Sequence, residues 1–298
     1  MTDIMPKPEE LRNTVKDWPR DEYFSDEALN FHTLRDFCRD PKLFAEGYYN
    51  KENDDPKRRD AKRQGTQLHE LVLEGDDVFN ANNALWTPPV NEKTGKPFGS
   101  DTKKYTDALA EFKAANQGKE SYTTDEWNMF AAMRDALTNH PVAGPYLFPE
   151  TTEQRAESEL KFRGEFCPGW FAKGSIDRYD NVFGIIDLKT CAEIERFDGY
   201  KSFEKTCIYS GYIEQLAFYQ IMFHELMDPR ASADYPPVTI VGVEKKEPYR
   251  VAVCQPDDET QAAAREQIYK MLDKYMKAVK EQRFESRYDE IITLHRNY

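Results

Sequence analysis

The chain has 298 residues, 39% hydrophobic and 32% charged, enough for one large domain or two small ones around a substantial core. Its 18 Phe, 17 Tyr and 4 Trp argue against a disordered chain, and no stretch approaches the roughly 18 to 20 apolar residues that cross a bilayer. Forty-one Lys and Arg against 54 Asp and Glu leave a formal net charge of -13, which excludes a uniformly basic nucleic-acid binder but hides how charge is distributed.

Residues 1–24 are polar, proline-containing and without clear period, and read as an N-terminal arm with no apolar core of the signal-peptide kind. Ser25, followed by Asp26 and Glu27, offers an N-cap and an acidic first turn for a helix through about Cys38; Pro41 opens a second short helical stretch. Residues 57–63 carry five basic side chains and one acidic, against the sign of the whole chain. From Gly65 to Glu74 the spacing predicts a helix with Leu68, Leu71 and Val72 in an apolar stripe. Residues 80–100, rich in Asn, Pro, Gly and Lys, read as a long surface loop, and helices are predicted over 101–116 and 124–139.

The pattern changes after Pro149. Residues 154–166, 170–179 and 182–188 read as three successive strands, joined by Cys167-Pro168-Gly169 and by Asp180-Asn181. A long helix over 205–227, strands over 238–244 and 249–254, and a terminal helix bearing Ile268, Met271, Leu272, Tyr275, Met276 and Val279 complete the order. This order predicts an α/β fold with a central mixed sheet flanked by helices. It forms one domain over 25–298, with a helical part over 25–150 and a sheet-and-helix core over 151–298.

Asp187 closes the apolar run Val182–Ile186, which puts an ionisable side chain at the end of a buried strand. A period of two places Asp187 and Lys189 on one face with Leu188 opposite, and a hairpin returns Asp177, ten residues earlier, to their neighbourhood. Two carboxylates and a lysine are costly to bury unless they pair or hold a cation. Hard oxygen ligands with few nitrogens suit Mg²⁺ or Mn²⁺. A DxK pattern alone is usually a surface ion pair; the second Asp at this spacing adds the weight.

The Asp177 and Asp187-Leu188-Lys189 arrangement resembles the PD-(D/E)xK nuclease superfamily. Gly65-Thr66-x-x-His69 with Val72-Leu73-Glu74, Ala156-Glu157-Ser158, Asp177, Asp187-Leu188-Lys189-Thr190 and Gln215-x-x-x-Tyr219 follow in the order found in exonuclease VIII. That is the RecE-type nuclease of phage and prophage recombination systems, and the resemblance covers about residues 25–228. It implies a PD-(D/E)xK nuclease-like core and a Mg²⁺-dependent double-stranded DNA exonuclease, with Mn²⁺ as a substitute. The expected polarity is 5′ to 3′, leaving 3′ overhangs for recombination.

By the same resemblance, Asp177, Asp187 and the Leu188 carbonyl are expected to hold the metal, with His69 a ligand of a second metal. Glu157 completes the site; Glu159 points the same way on a strand, and Glu157 is preferred for its Ala-Glu-Ser match. Lys189 orients or deprotonates the attacking water, and Gln215 and Tyr219, four apart on one helix face, contact the substrate phosphate. The family often has Arg-Pro-Asp where this chain has Ser175-Ile176-Asp177, so Lys173 is expected to supply the positive charge toward substrate. The implied partners are double-stranded DNA ends, further copies of the chain in a ring, and a single-strand annealing protein, in a bacterial cytoplasm and away from membranes. Residues 57–63 with Lys93, Lys96, Lys103 and Lys104 are candidates for a basic ring lining.

Five cysteines at 38, 167, 191, 207 and 254 have no CxxC spacing, so they read as dispersed reduced thiols rather than a zinc or iron–sulfur site. There is no GxxxxGK[ST] loop for ATP hydrolysis and no nucleophile-elbow serine. Competing readings are an endonuclease or single-strand nuclease with the same metal site, and a non-catalytic DNA-end-binding recombination protein.

Overall fold

A computed structural model describes residues 5–49, 56–148, 154–195, 202–228 and 234–289. Three short helices come first: α1 (Arg20–Ser25), α2 (Phe31–Arg39) and α3 (Pro41–Ala45). Ser25 ends α1 rather than capping the next helix. That role falls to Asn30, whose side chain accepts from the Thr33 amide, while Asp26 closes a bend by accepting from Ala28. Helix α4 (Pro56–His69) runs on through a π turn at Glu70–Glu74 into α5 (Asp76–Asn82).

The stretch read as a long loop contains more order. It holds β1 (Asn83–Leu85) and a hairpin of β2 (Val90–Asn91) with β3 (Lys96–Pro97). Helix α6 (Lys103–Ala115) and β4 (Glu120–Tyr122) follow, and β1 and β4 pair in parallel. Next come α7 (Thr124–Asn139), fixed by a Thr123/Glu126 capping box, and α8 (Ala143–Leu147).

The main sheet has five strands in the order β5 (Ala156–Cys167), β6 (Trp170–Asp180), β7 (Gly184–Cys191), β8 (Val238–Glu244), β9 (Val251–Cys254). Only β7 and β8 are parallel, so the sheet is mixed, as the element order predicted. Their crossover uses two helices, α9 (Phe203–Tyr209) and α10 (Tyr212–Met222), which continues through a π turn to Met227. The single helix predicted over 205–227 is broken because Gly211 takes a left-handed φ of 79°, which a side chain disfavours. Helix α11 (Asp258–Glu281) closes the fold, burying Ala264, Ile268, Met271 and Leu272 along one stripe.

Helices cover both faces of the sheet. Ile185, Val238 and Ile240 meet α2, α9, α10 and α11 on one face. Ile186, Leu188, Val241 and Val243 meet Leu68, Phe79, Phe130, Met133 and Leu147 on the other. All seven residues of β8 are buried, as a central strand covered on both sides requires.

The N-terminal segment is strapped to this sheet. Val15 donates to the Lys161 carbonyl and Arg163 to that of Asn13, which occupies the free edge of β5. Farther on, Leu29 donates to Phe171 and accepts from Lys173, pairing with β6 on its other side.

Candidate metal centre

β6 and β7 pair only over Arg178–Ile186, Tyr179–Ile185 and Asp180–Gly184, and then part. The backbone groups freed by that parting need other partners. The amide of Leu188 donates to Asp177 Oδ2 at 2.9 Å, and its carbonyl lies 2.7 Å from His69 Nε2. The wedge between the strands is therefore lined by polar side chains instead of a continued ladder. Leu29, paired to β6 beyond the wedge, bounds its wide end.

Four elements converge there. α4 delivers His69 at its last residue. β5 and β6 bring Glu159 and Asp177, whose flanking pairs Ser158–Arg178 and Leu160–Ile176 place them opposite each other. The ladder is irregular at this point: Glu159 has φ 50°, and Ile176 and Tyr179, three apart, both face the α10 side, which strict alternation forbids. His69 Nδ1 lies 3.7 Å from Asp177 Oδ2 and 3.9 Å from Glu159 Oε1. One ligand atom from each of the three lies within 4.8 Å of the others.

β7 supplies Asp187 and Lys189. Lys189 Nζ is 2.5 Å from Asp187 Oδ1 and 4.0 Å from Asp177 Oδ2, and stands over the Tyr212 ring at 5.3 Å. Asp187 is 2% exposed and its Oδ2 is buried without a hydrogen-bond partner. A buried carboxylate oxygen left unpaired is costly, and a cation in the wedge would satisfy it. The donor set of carboxylate oxygens, one imidazole and the Leu188 carbonyl that this imidazole now meets fits a hard divalent ion.

The charges respond to this crowding. Burial pushes the Asp187 carboxyl up to about 6 despite the neighbouring Lys189 ammonium. Burial opposes protonation of His69, but the Asp177 and Glu159 carboxylates outweigh it and raise the imidazole to about 9. For Lys189, too, burial is outweighed, by Asp187 and Asp177, and its ammonium is held firmly charged. Glu159 is held below the usual range, its burial offset by His69 and by the Ser175 hydroxyl that donates to it at 2.9 Å.

Of the residues singled out in the sequence, the structure brings together His69, Asp177, Asp187, Lys189 and the Leu188 carbonyl. Gln215 and Tyr219 border them: the Gln215 amide donates to the Tyr219 hydroxyl at 3.1 Å. The Tyr219 ring packs over Gly174, where a Cβ would fall 3.0 Å from it and 2.5 Å from that of Phe162, and burial together with the nearby Asp177 and Asp187 carboxylates keeps its hydroxyl protonated. Two expectations need correction. Glu157 pairs opposite Tyr179, two positions from Glu159 along β5, and the carboxylate beside His69 and Asp177 is that of Glu159. Lys173 is 2% exposed, with Nζ bonded to the Tyr23 and Asp26 carbonyls and set over the Tyr23 ring at 4.8 Å. It anchors the N-terminal strap and offers no charge to a substrate. Ser175 was marked in the sequence only as a departure from Arg-Pro-Asp, and its bond to Glu159 had no sequence signal; Tyr212 was given no role there.

A family model described as a PDDEXK-like domain of unknown function (DUF3799) matches residues 39–297. The chain belongs to this PDDEXK-like family. A crystal structure from Eubacterium rectale of a protein named "putative exonuclease" is similar in fold. It superposes with a TM-score of 0.52 at 15% identity, over 95% of this chain and 97% of that one. No curated protein matches the chain. The PD-(D/E)xK-like mixed sheet flanked by helices thus stands on family and architecture together. Among the described residues no helix is long and apolar enough to cross a membrane.

Proposed function

We propose that this PDDEXK-like protein is a metal-dependent deoxyribonuclease acting on double-stranded DNA ends. The observation that carries the reading is the convergence of His69, Glu159 and Asp177 beside the unpaired Oδ2 of Asp187 and the ammonium of Lys189. Asp177, Asp187, Glu159 and the Leu188 carbonyl are the groups suited to hold Mg²⁺, with Mn²⁺ as substitute, and His69 is suited to a second cation once it sheds its proton. A cation so held supplies Lewis-acid polarisation of the phosphodiester and offsets the charge that builds during cleavage.

The chain's own groups do the rest. Lys189 keeps a positive charge at the wedge mouth, where it steadies developing negative charge and orients the attacking water. Asp187 holds that ammonium in place through Oδ1. The Tyr219 hydroxyl, set by Gln215, is a donor for a substrate phosphate oxygen.

The finer reading is an exonuclease of the RecE type, proceeding 5′ to 3′ and leaving 3′ overhangs for a single-strand annealing protein. A ring of several copies around DNA, in a bacterial cytoplasm, belongs to the same reading. Its support is the ordered motif set from Gly65 to Tyr219, together with the name borne by the Eubacterium rectale neighbour. Linear duplex labelled separately at its 5′ and 3′ ends, beside a covalently closed circle, tests it. Loss of the 5′ strand with the circle spared is expected; cutting of the circle identifies an endonuclease instead.

A further inference from the structure

A groove with a volume of about 390 Å³ lies where the end of α9 and the first turn of α10 meet the first turns of α11. Ile208, Ile213, Glu214, Glu259, Ala263 and Ala264 line most of it, and none of its lining residues belongs to the metal cluster. Ile208 and Ile213 flank Gly211, whose left-handed φ parts the two helices, and the alanines of α11 are too small to fill the space that results. Ile213 and Ala264 are 8% exposed and form the floor, while Ile208 is 53% exposed on the wall. Tyr209 beside it is 82% exposed, the most open of the large hydrophobic side chains among the described residues. Single apolar side chains on a surface need no explanation, but an Ile and a Tyr at the lip of an apolar depression mark a contact face.

The groove is also acidic. The segments that supply its walls, 204–214 and 257–267, carry six acidic side chains against two basic, where the whole chain carries 54 against 41. Of the two bases, Arg265 turns away, to Gln220 at 3.0 Å and to the Tyr235 ring at 4.3 Å. The lining itself holds Glu214 and Glu259 and no basic side chain. Glu214 Oε2 is shut off from solvent and accepts no hydrogen bond. A carboxylate oxygen left so is costly, and a cationic side chain entering the groove would satisfy it. Glu259, Ala263 and Gln267 follow at four-residue steps along α11, so the groove runs for about 12 Å, two turns of a facing helix.

We propose that this groove receives a short amphipathic helix of another protein, its apolar face against Ile208, Ile213 and Ala264 and its lysines or arginines against Glu214 and Glu259. The chain's own basic run over 57–63 has no apolar side chain larger than Ala61 and does not supply such a face. A helix so docked lies beside Gln215, the residue after Glu214 on α10, and is held near the metal cluster whatever reaction that cluster performs.

Fluorescence anisotropy tests the proposal with two labelled peptides of about 18 residues, Leu at helical spacing and either Lys or Glu at the other positions. The Lys peptide should bind and the Glu peptide should not. Ile208→Asn and Glu259→Lys, both at exposed positions, should each weaken binding of the Lys peptide by at least about fivefold, with melting temperature unchanged. Glu111→Lys, at an exposed position of α6, is the control and should leave the affinity as it is. An equal loss in the control shows attraction to net charge alone and overturns the proposal. Binding of the Glu peptide, no binding of either, or full affinity in Ile208→Asn and Glu259→Lys overturns it too. Sedimentation of the wild-type protein gives the last outcome: self-association that Ile208→Asn abolishes makes the occupant a second copy and overturns the choice of partner. Mg²⁺-dependent cleavage of linear duplex should be the same in both variants and wild type, and its absence in all three counts against the nuclease reading alone.

Discussion

His69 Nε2 and the Leu188 carbonyl oxygen, 119 residues apart in sequence, lie 2.7 Å from one another. With its other nitrogen facing Asp177 and Glu159, the imidazole acts as a cation in the wedge, donating to a carbonyl that β6 has abandoned. It fills with a proton the place suited to a metal.

A pH dependence follows. Because the folded imidazole titrates at about 9 and a free histidine near 6.5, the metal-free protein is stabilised below about 6.5 and loses that stabilisation as pH rises through about 9. Cation binding must displace the proton, so apparent affinity should rise by up to about tenfold per pH unit below about 9. Calorimetric titration with Mn²⁺ in buffers of different ionisation enthalpy, at a pH well above the Asp187 value of about 6, should show proton release, and His69→Gln should abolish it.

Glu157 and Glu159, both on β5, separate cleanly by mutation. Glu159→Gln should lower cleavage and metal affinity by at least about 10²-fold, since its carboxylate meets His69 and Asp177. Glu157→Gln, two pairs beyond the cluster, should retain most activity. Metal titration and single-turnover cleavage of both variants check the assignment.

Lys189→Ala removes the partner of a nearly inaccessible carboxylate. Breaking such a pair costs about 3–5 kcal/mol, so the metal-free variant should unfold at lower urea concentration. Divalent cation should recover part of that loss by pairing with the stranded buried charge of Asp187, while cleavage remains depressed. Urea unfolding with and without Mn²⁺ measures both effects.

Lys173→Met should act on stability rather than on substrate. Its ammonium holds the Tyr23 and Asp26 carbonyls, so the strap should loosen, seen as faster amide exchange over residues 13–29. DNA affinity of the folded fraction should be unchanged; a large fall in affinity with normal exchange would return Lys173 to the substrate.

Much of the main sheet was legible in the sequence because its strands are apolar or alternating runs bounded by turn signals: 170–179 against Trp170–Asp180, and 238–244 against Val238–Glu244. Asp187 and Lys189 share a face by the period of two alone. Glu159 was harder. Counting back from the turn that pairs Cys167 with Trp170 puts Asp177 opposite Leu160; a register shift between Glu165 and Cys167 moves it opposite Glu159. A bulge of that kind leaves no pattern in the residues themselves. The strands of the β2–β3 hairpin are two residues each, too short for any period to show, and so its stretch read as loop.

The most direct test of the metal-centre reading is cleavage of linear duplex DNA by wild type and Asp187→Ala, with Mg²⁺ and with EDTA, alongside binding of the same duplex. Wild type should cut only with Mg²⁺, and Asp187→Ala should bind without cutting. Binding by both proteins with no cleavage by either, under any divalent cation, would contradict it and leave a DNA-binding protein built on a nuclease fold.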